Sequence, residues 1–296
     1  MSQQNAIFGL LAQTSLHAGT GQNSGIIDLP IQREGHNGWP CVFGSAVKGA
    51  LRTCAEDRYG ASNESINHVF GPDTDHAADH AGAIAVSDAR LLLLPIRSLT
   101  SQFKWVTCPD ALKRFKRDCQ RLDLSMEFDV PELDERGEAQ ALVSETQKGG
   151  QLFLEEYCFN AKPVNLKPVI DSMARLMNRD DAVAELGKQL TVISNDDFTY
   201  LVQHATPVNA HIAIESETKT VRDGALWYEE TLPPETLLYT TLSAAHSRKD
   251  RKEMPASAIL KSVKELFQAQ NWLQLGGNET VGMGWCAVSI LESGDQ

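Results

Sequence analysis

The sequence predicts an α+β protein built on a ferredoxin-like or RRM-like core, and three observations lead there. An apolar strand at residues 6–13 is followed, after a glycine-containing loop, by an amphipathic helix over 45–59. A second helix-then-strand pair, Ala258 to Phe267 and Cys286 to Leu291, closes the chain. Between them, with polar and irregular stretches set aside, the strand-like runs Ala83 to Leu94 and Thr236 to Leu242 remain. The resulting order is strand, helix, strand, strand, helix, strand.

Each element has its own signal. Ile7 to Leu11 is a short apolar run. In the first helix Val47, Ala50, Leu51 and Cys54 recur at i, i+3, i+4, i+7 and make the buried face. Ser45 is placed to cap that helix and Gly60 to stop it. Residues 61–81 are polar and loop-like, and the following run Ala83 to Leu94 reads as a buried strand ended by Pro95. Thr107 and Pro109 read as N-cap and first turn of a helix through Arg121. The acidic stretch 127–140 reads as a surface insertion, and Gln151 to Phe159 as a short strand. Residues 168–190 read as one helix with Ile170, Met173, Leu176 and Met177 on one side, and Asn195 as the cap of a short helix through Gln203. Ala210 to Ile214, a polar turn, and Ala225 to Tyr228 predict a projecting hairpin. Ile259, Val263, Leu266 and Phe267 fall at helical spacing in the last helix.

A net charge of −12 over 296 residues argues against indiscriminate nucleic-acid binding, which needs a positive field. The charge is uneven, however. Lys113, Arg114, Lys116, Arg117 and Arg121 cluster on one predicted helix, and Arg248, Lys249, Arg251 and Lys252 form a second group. A local basic groove on an acidic body is compatible with this pattern, as is a set of solvated faces. No run approaches the length of a membrane span, and residues 1–13 lack a signal-peptide layout. Six scattered cysteines without C-x-x-C spacing read as reduced, mostly buried thiols of a cytoplasmic protein.

The candidate sites centre on residues 14–52. Lys48 and Arg52 share a helix face near its N-terminus, where cations oppose the macrodipole unless an anion sits among the free N–H groups. That pattern points to a phosphate-binding surface. The loop before it carries Gly19, Gly21, Gly25, His17 and Asp28. Its glycine spacing is wrong for a dinucleotide fold, and no helix opens directly behind it. A second cluster, Gly276, Gly277, Gly282 and Gly284, leads into a strand and lacks the Lys-Ser/Thr of a P-loop. It reads equally as a flexible turn or as backbone that a phosphate chain can approach. Asp73, Asp75, His76, Asp79 and His80 have helical metal-ligand spacing but lie in loop-like sequence, so incidental clustering is the better reading.

In order along the chain, LHAGTG, GIIDLPIQRE, GSAVKGALR, AGAIAVSDARLLLLPIRS, WVTCPDALKRF, LWYEETLPPETLLY and LQLGGNETVGMGW resemble the RAMP backbone subunit of the Cmr-type, type III-B CRISPR effector. The resemblance implies a single RAMP domain over 1–296, with insertions at about 61–81, 122–150 and 160–235, the last including a thumb β-hairpin. It further implies copies of the chain stacked in a filament with other Cmr-type subunits along a guide RNA, and endonucleolytic cleavage of complementary target RNA. By the same resemblance Asp28 is the key cleavage residue and candidate ligand of a divalent metal such as Mg. His17 and Glu229 or Glu230 are its neighbours in the site. Ser45, Lys48, Arg52 and Gly276, Gly277, Gly282 and Gly284 would lie along the guide backbone. The alternative is a purely structural RNA-binding subunit. Asp28, present in the motif, favours the enzyme, whereas a nucleotide-binding metabolic enzyme is disfavoured by both glycine loops.

Overall fold

One mixed sheet carries the architecture, and a two-stranded ribbon stands apart from it. The structure is a computed structural model describing residues 3–76, 78–134, 139–249 and 254–292. In chain order, β1 (Gln4–Ala12) is followed by a long loop, β2 (Cys41–Val42), α1 (Gly44–Tyr59) and α2 (Glu64–Phe70). Then come β3 (Ile84–Val86), β4 (Ala89–Arg97), β5 (Phe103–Thr107) and α3 (Pro109–Arg121). The middle of the chain supplies β6 (Gln140–Ser144), β7 (Gly150–Leu154), β8 (Tyr157–Val164), α4 (Lys167–Ala174), α5 (Ala182–Gln189), β9 (Leu190–Val192) and α6 (Asn195–His204). The ribbon is β10 (Val208–Ile214) with β11 (Val221–Glu230), after which β12 (Leu237–Ala244), α7 (Ala256–Glu265), β13 (Trp272–Gln274) and β14 (Trp285–Glu292) complete the order.

The sheet runs β13-β14-β1-β12-β4-β5-β9-β6-β8-β7, with β2 beside β4 and β3 beside β12. Its centre, β14-β1-β12-β4, is antiparallel throughout. Both faces are covered, which is why β1 is apolar without interruption from Ala6 to Ala12. Ala6, Phe8 and Leu10 pack with Val47, Leu51, Ile259 and Val263 on one side. Ile7 and Leu11 pack with Leu112, Phe115 and Met173 on the other. At Gly9 the segment around Leu176 lies close against the sheet: a Cβ there would lie 2.3 Å from the Leu176 carbonyl oxygen.

Several expectations are corrected by burial. Residues 64–70 are helical rather than loop, because Ile66, Val69 and Phe70 share a buried face and the Asn63 side chain accepts from Ser65 N. The run 83–94 is two strands parted at Ser87–Asp88, and Pro95 lies inside the second. Beyond Leu93, β4 is paired with β5 and no longer with β12, so a missing N–H is tolerated there. Residues 151–159 contribute to a hairpin that turns at Glu155, whose φ is 50°. The helix expected over 168–190 is two helices, broken around Asn178 at φ 46°.

The capping assignments shift as well. Ser45 is the second residue of α1 and caps nothing; Phe43 holds the N-cap position, and Asp88 Oδ1 accepts from Gly44 N at 2.7 Å. Cys108, not Thr107, precedes α3. Ser194 caps α6 by accepting from Asp197 N, while Asn195 Oδ1 serves α3 by accepting from Asp110 N. The acidic insertion begins as a strap: Leu122, Leu124, Met126 and Phe128 alternate inward into the second core, and Lys116 Nζ donates to Phe128 O. Residues 135–138 lie outside the described residues, as do Arg251 and Lys252. All six cysteines are free, four of them buried, and no helix among the described residues is long and apolar enough to cross a membrane.

Gly9→Ala tests this close approach. Backbone stands in the way of the new methyl, so the variant should lose about 1–3 kcal/mol, read as a lower midpoint of thermal unfolding. An unchanged midpoint would show that the segment around Leu176 yields freely.

Candidate active site

The loop between β1 and β2 is pinned by two adjacent charges. Arg33 Nη1 donates to the Gly38 and Val202 carbonyls, and its Nη2 lies 2.5 Å from Glu230 Oε1. The buried Glu230 carboxylate also accepts from Thr206 Oγ1 at 2.6 Å and from Ile31 N at 3.1 Å. Glu34 accepts from Arg114 at 2.7 Å through both oxygens, and Arg114 lies over the Trp39 ring. The Trp39 indole N–H in turn donates to Thr199 Oγ1. Loop, α3, α6 and the end of β11 are thereby held as one unit.

Asp28 meets β11 directly. Its Oδ2 accepts from Tyr228 N at 2.7 Å, Leu29 N donates to Tyr228 O, and Glu230 N donates to Leu29 O. The half-buried Asp28 opens into a cleft lined by Gln22, Asn23, Gly224, Leu226 and Trp227. Trp227 stacks on His211, with ring centroids 5.5 Å apart.

His17 is buried, and its Nδ1–H donates to Glu230 O at 2.7 Å. A ring nitrogen that donates to a carbonyl carries the proton, so in the neutral imidazole Nε2 is left as acceptor. Glu229 Oε1 lies 3.9 Å from the same Nδ1 and accepts from Asn278 Nδ2 at 2.6 Å. Of the three residues expected to act together, His17 and Asp28 therefore both bind the backbone of residues 228–230, the segment that carries Glu229. Chemically these residues offer an imidazole lone pair and carboxylates, the equipment of general acid–base catalysis, and of the three Asp28 lines the open cleft. Among the described residues no three His, Cys, Asp or Glu side chains converge as a metal-ligand set. Asp28 alone is too few ligands for an ion held by protein only, although Mg is commonly bound by one or two carboxylates together with substrate phosphates.

The basic end of α1 is arranged differently from its sequence reading. The negative charge at the helix start comes from Asp88. Arg52 is engaged by Glu56 and by the carbonyls of Gly71 and Pro72, which ties down the turn after α2. Lys48 is half-buried and has no such partner among the described residues. Burial first, and then Arg52 and Arg248, hold its ammonium below the usual lysine range. Ser45 is exposed one turn before it. The cations of α3 do not form a groove: Arg114 and Lys116 bind within the fold, and Lys113 sits by Asp110.

The second glycine cluster packs against the first loop. Gly277 N donates to His17 O and Gly284 N to Ser15 O. A Cβ at Gly276, where φ is 81°, would lie 2.3 Å from His17 O. Gly282 faces open space. His76 is exposed and His80 half-buried, with His76 Nδ1 3.6 Å from Asp79. Sequence reasoning missed Arg33, Asp88 and Asn278. Of these, Arg33 alone had a signal, as the single cation of the motif GIIDLPIQRE that carries Asp28.

Comparison with known proteins gives these positions a family. The model of the RAMP superfamily matches residues 10–287. The CRISPR system Cmr endoribonuclease Cmr4 of Pyrococcus furiosus is 34% identical over 290 residues, covering 97% of this chain and 95% of the relative. The crystal structure of oligomeric Cmr4 from the same organism superposes with a TM-score of 0.74 at 28% identity, covering 99% of this chain and 100% of that one. A chain of the type III-B Cmr-beta complex bound to cognate target RNA has a TM-score of 0.75, covering 97% of this chain and 96% of that one; at 24% identity it speaks for the fold alone. The family match spans nearly the whole sequence, from within β1 to within β14, and so the chain belongs to the RAMP superfamily.

Proposed function

We propose that this chain is the RNA-cleaving backbone subunit of a type III-B CRISPR ribonucleoprotein. The observation that carries the reading is that His17 and Asp28 both bind the backbone of residues 228–230, the segment that carries Glu229, in a chain 34% identical to a Cmr endoribonuclease. The four central strands with α1 and α7 serve as the ferredoxin-like core of one RAMP domain over 1–296, with insertions near 61–81, 122–150 and 160–235. The β10–β11 ribbon is its thumb, with Ile212, Ile214, Leu226 and Tyr228 exposed as an apolar wedge. Copies of the chain stack with other Cmr-type subunits in the cytoplasm, with no membrane involved. Guide RNA runs past Lys48 and the C-terminal glycine loop, and target RNA pairs with the guide.

Such a wedge unstacks and kinks a strand. A kink can align a 2′-oxygen with its neighbouring phosphorus, so the protein supplies position as well as acid–base chemistry. The 2′-OH gives its proton to Asp28 or His17, the 2′-oxygen bonds to phosphorus, and the bond to the 5′-oxygen breaks as that oxygen takes up a proton. Base pairing selects the sequence, so no side chain needs to read bases. A divalent ion, with Mg the natural choice, would be held by Asp28 and RNA phosphates, and would offset charge at the scissile group.

Asp28→Asn keeps size and removes charge. In the assembled complex, single-turnover cleavage of labelled target should fall by about 10²–10⁴, with guide and target binding intact. Undiminished cleavage would favour a structural RNA-binding subunit. Chelation of divalent ions by EDTA should abolish cleavage while target stays bound; cleavage that persists in EDTA leaves the chemistry to the side chains alone. Lys48→Glu should flatten the salt dependence of log K for guide RNA by about 0.7 per lost phosphate contact, and an unchanged slope would remove Lys48 from the guide path.

A further inference from the structure

The glycine-rich loop between β13 and β14 carries a side chain with no role in the scheme above. Asn278 sits there in the left-handed region, at φ 63°, a conformation Asn adopts more readily than most residues. Its amide Nδ2 donates to Glu229 Oε1 at 2.6 Å. Glu229 is 4% exposed, and among the described residues Asn278 is its one hydrogen-bond donor. A buried carboxylate with a single donor depends heavily on that donor, because losing it leaves the charge desolvated and unsatisfied.

The same Oε1 lies 3.9 Å from His17 Nδ1, whose N–H is already given to Glu230 O. Asn278, Glu229 and His17 thus form a line of contacts running from the C-terminal loop into the first loop. The loop holds the histidine by its backbone too, through Gly277 N to His17 O at 2.8 Å. On the other side of the ring, a Cβ at Gly19 would come within 2.6 Å of Nε2, so a side chain there would crowd that nitrogen. The residue is gripped at its backbone and Nδ1, and Nε2 has no hydrogen-bond partner among the described residues.

We propose that Asn278 is a positioning residue of the cleavage site. It holds the Glu229 carboxylate beside His17, and so fixes the imidazole with Nε2 bare. The proposal rests on the reading of His17 and Glu229 given above. It gives the glycine loop a part in the chemistry separate from any contact with guide RNA.

Two substitutions separate this role from loop structure. Asn278→Gly removes the donor and keeps the left-handed backbone. Asn278→Asp keeps size and backbone preference but turns a carboxylate on Glu229. Single-turnover cleavage by the assembled complex should fall about tenfold in N278G, within the range ascribed to positioned acid–base groups, and further in N278D. Target affinity measured in parallel should hold in both. A purely structural role would be served nearly as well by Asp as by Asn. In a Glu229→Gln background N278G should add no further loss, since residues acting through one another are not additive. In the free labelled protein, the imidazole ¹⁵N signals of His17, assigned by their loss in His17→Asn, should move in both Asn278 variants. Wild-type cleavage in N278G and N278D beside a slow E229Q would overturn the proposal and leave the site reading standing. So would losses that multiply in the double variant. Wild-type cleavage in E229Q would overturn the site reading, and this proposal with it.

Discussion

The buried ion pair between Glu230 and Arg33 is the constraint on which the rest of the site depends. Glu230 is 3% exposed, and a carboxylate taken out of water is costly unless paired and fully hydrogen-bonded. Here it receives Arg33, Thr206 Oγ1 and Ile31 N. Those partners come from the first loop and from the segment joining α6 to β10, so satisfying one charge brings separate parts of the chain together. The backbone of the same residue finishes the work. Its carbonyl takes the His17 N–H, and its N–H goes to Leu29 O, next to Asp28. An irregular loop acquires fixed geometry because its polar groups are satisfied by the end of a strand.

The two neighbouring glutamates divide the labour. Successive strand residues point to opposite faces, so Glu229 and Glu230 cannot share one environment. Glu230 is saturated by structural partners. Glu229 has a single amide donor and a histidine nearby, which leaves it free to respond to what happens at that histidine. The same contrast holds on α1. Arg52 is spent on Glu56 and two carbonyls, while Lys48 lies near Arg52 and Arg248 and has no ion-pair partner among the described residues. A free cation among cations is a better sign of an anionic partner than a cation count.

Much of the core and of the site was legible because its signals are local. The apolar runs of β1 and β12, and the helical spacing of Val47, Leu51, Ile259 and Val263, follow from periodicity and burial. Asp28 and His17 were legible through motif order rather than through any property of an isolated loop residue. What went astray followed from contacts that periodicity does not record. The cap of α1 is a side chain from the turn before β4, the cap of α3 comes from the start of α6, and α2 is stabilised by a face too short to stand out. The strap at 122–128 went unread between the helix ending at Arg121 and the acidic stretch from 127, although its buried residues alternate with period two.

The sequence by itself determined the α+β class of the fold, the chain order of its principal strands and helices, and which loop carries the candidate residues His17 and Asp28. It could do so because apolar patterning and ordered motifs are properties of neighbouring residues. Only the tertiary structure decided which glutamate faces His17, that Arg52 is a brace while Lys48 has no partner among the described residues, and that Asn278 reaches the candidate site. Those outcomes depend on where β11 ends against the first loop, and on two loops from opposite ends of the chain meeting at His17. Residues so far apart in sequence are brought together by packing and by the satisfaction of buried polar groups, which no local pattern encodes.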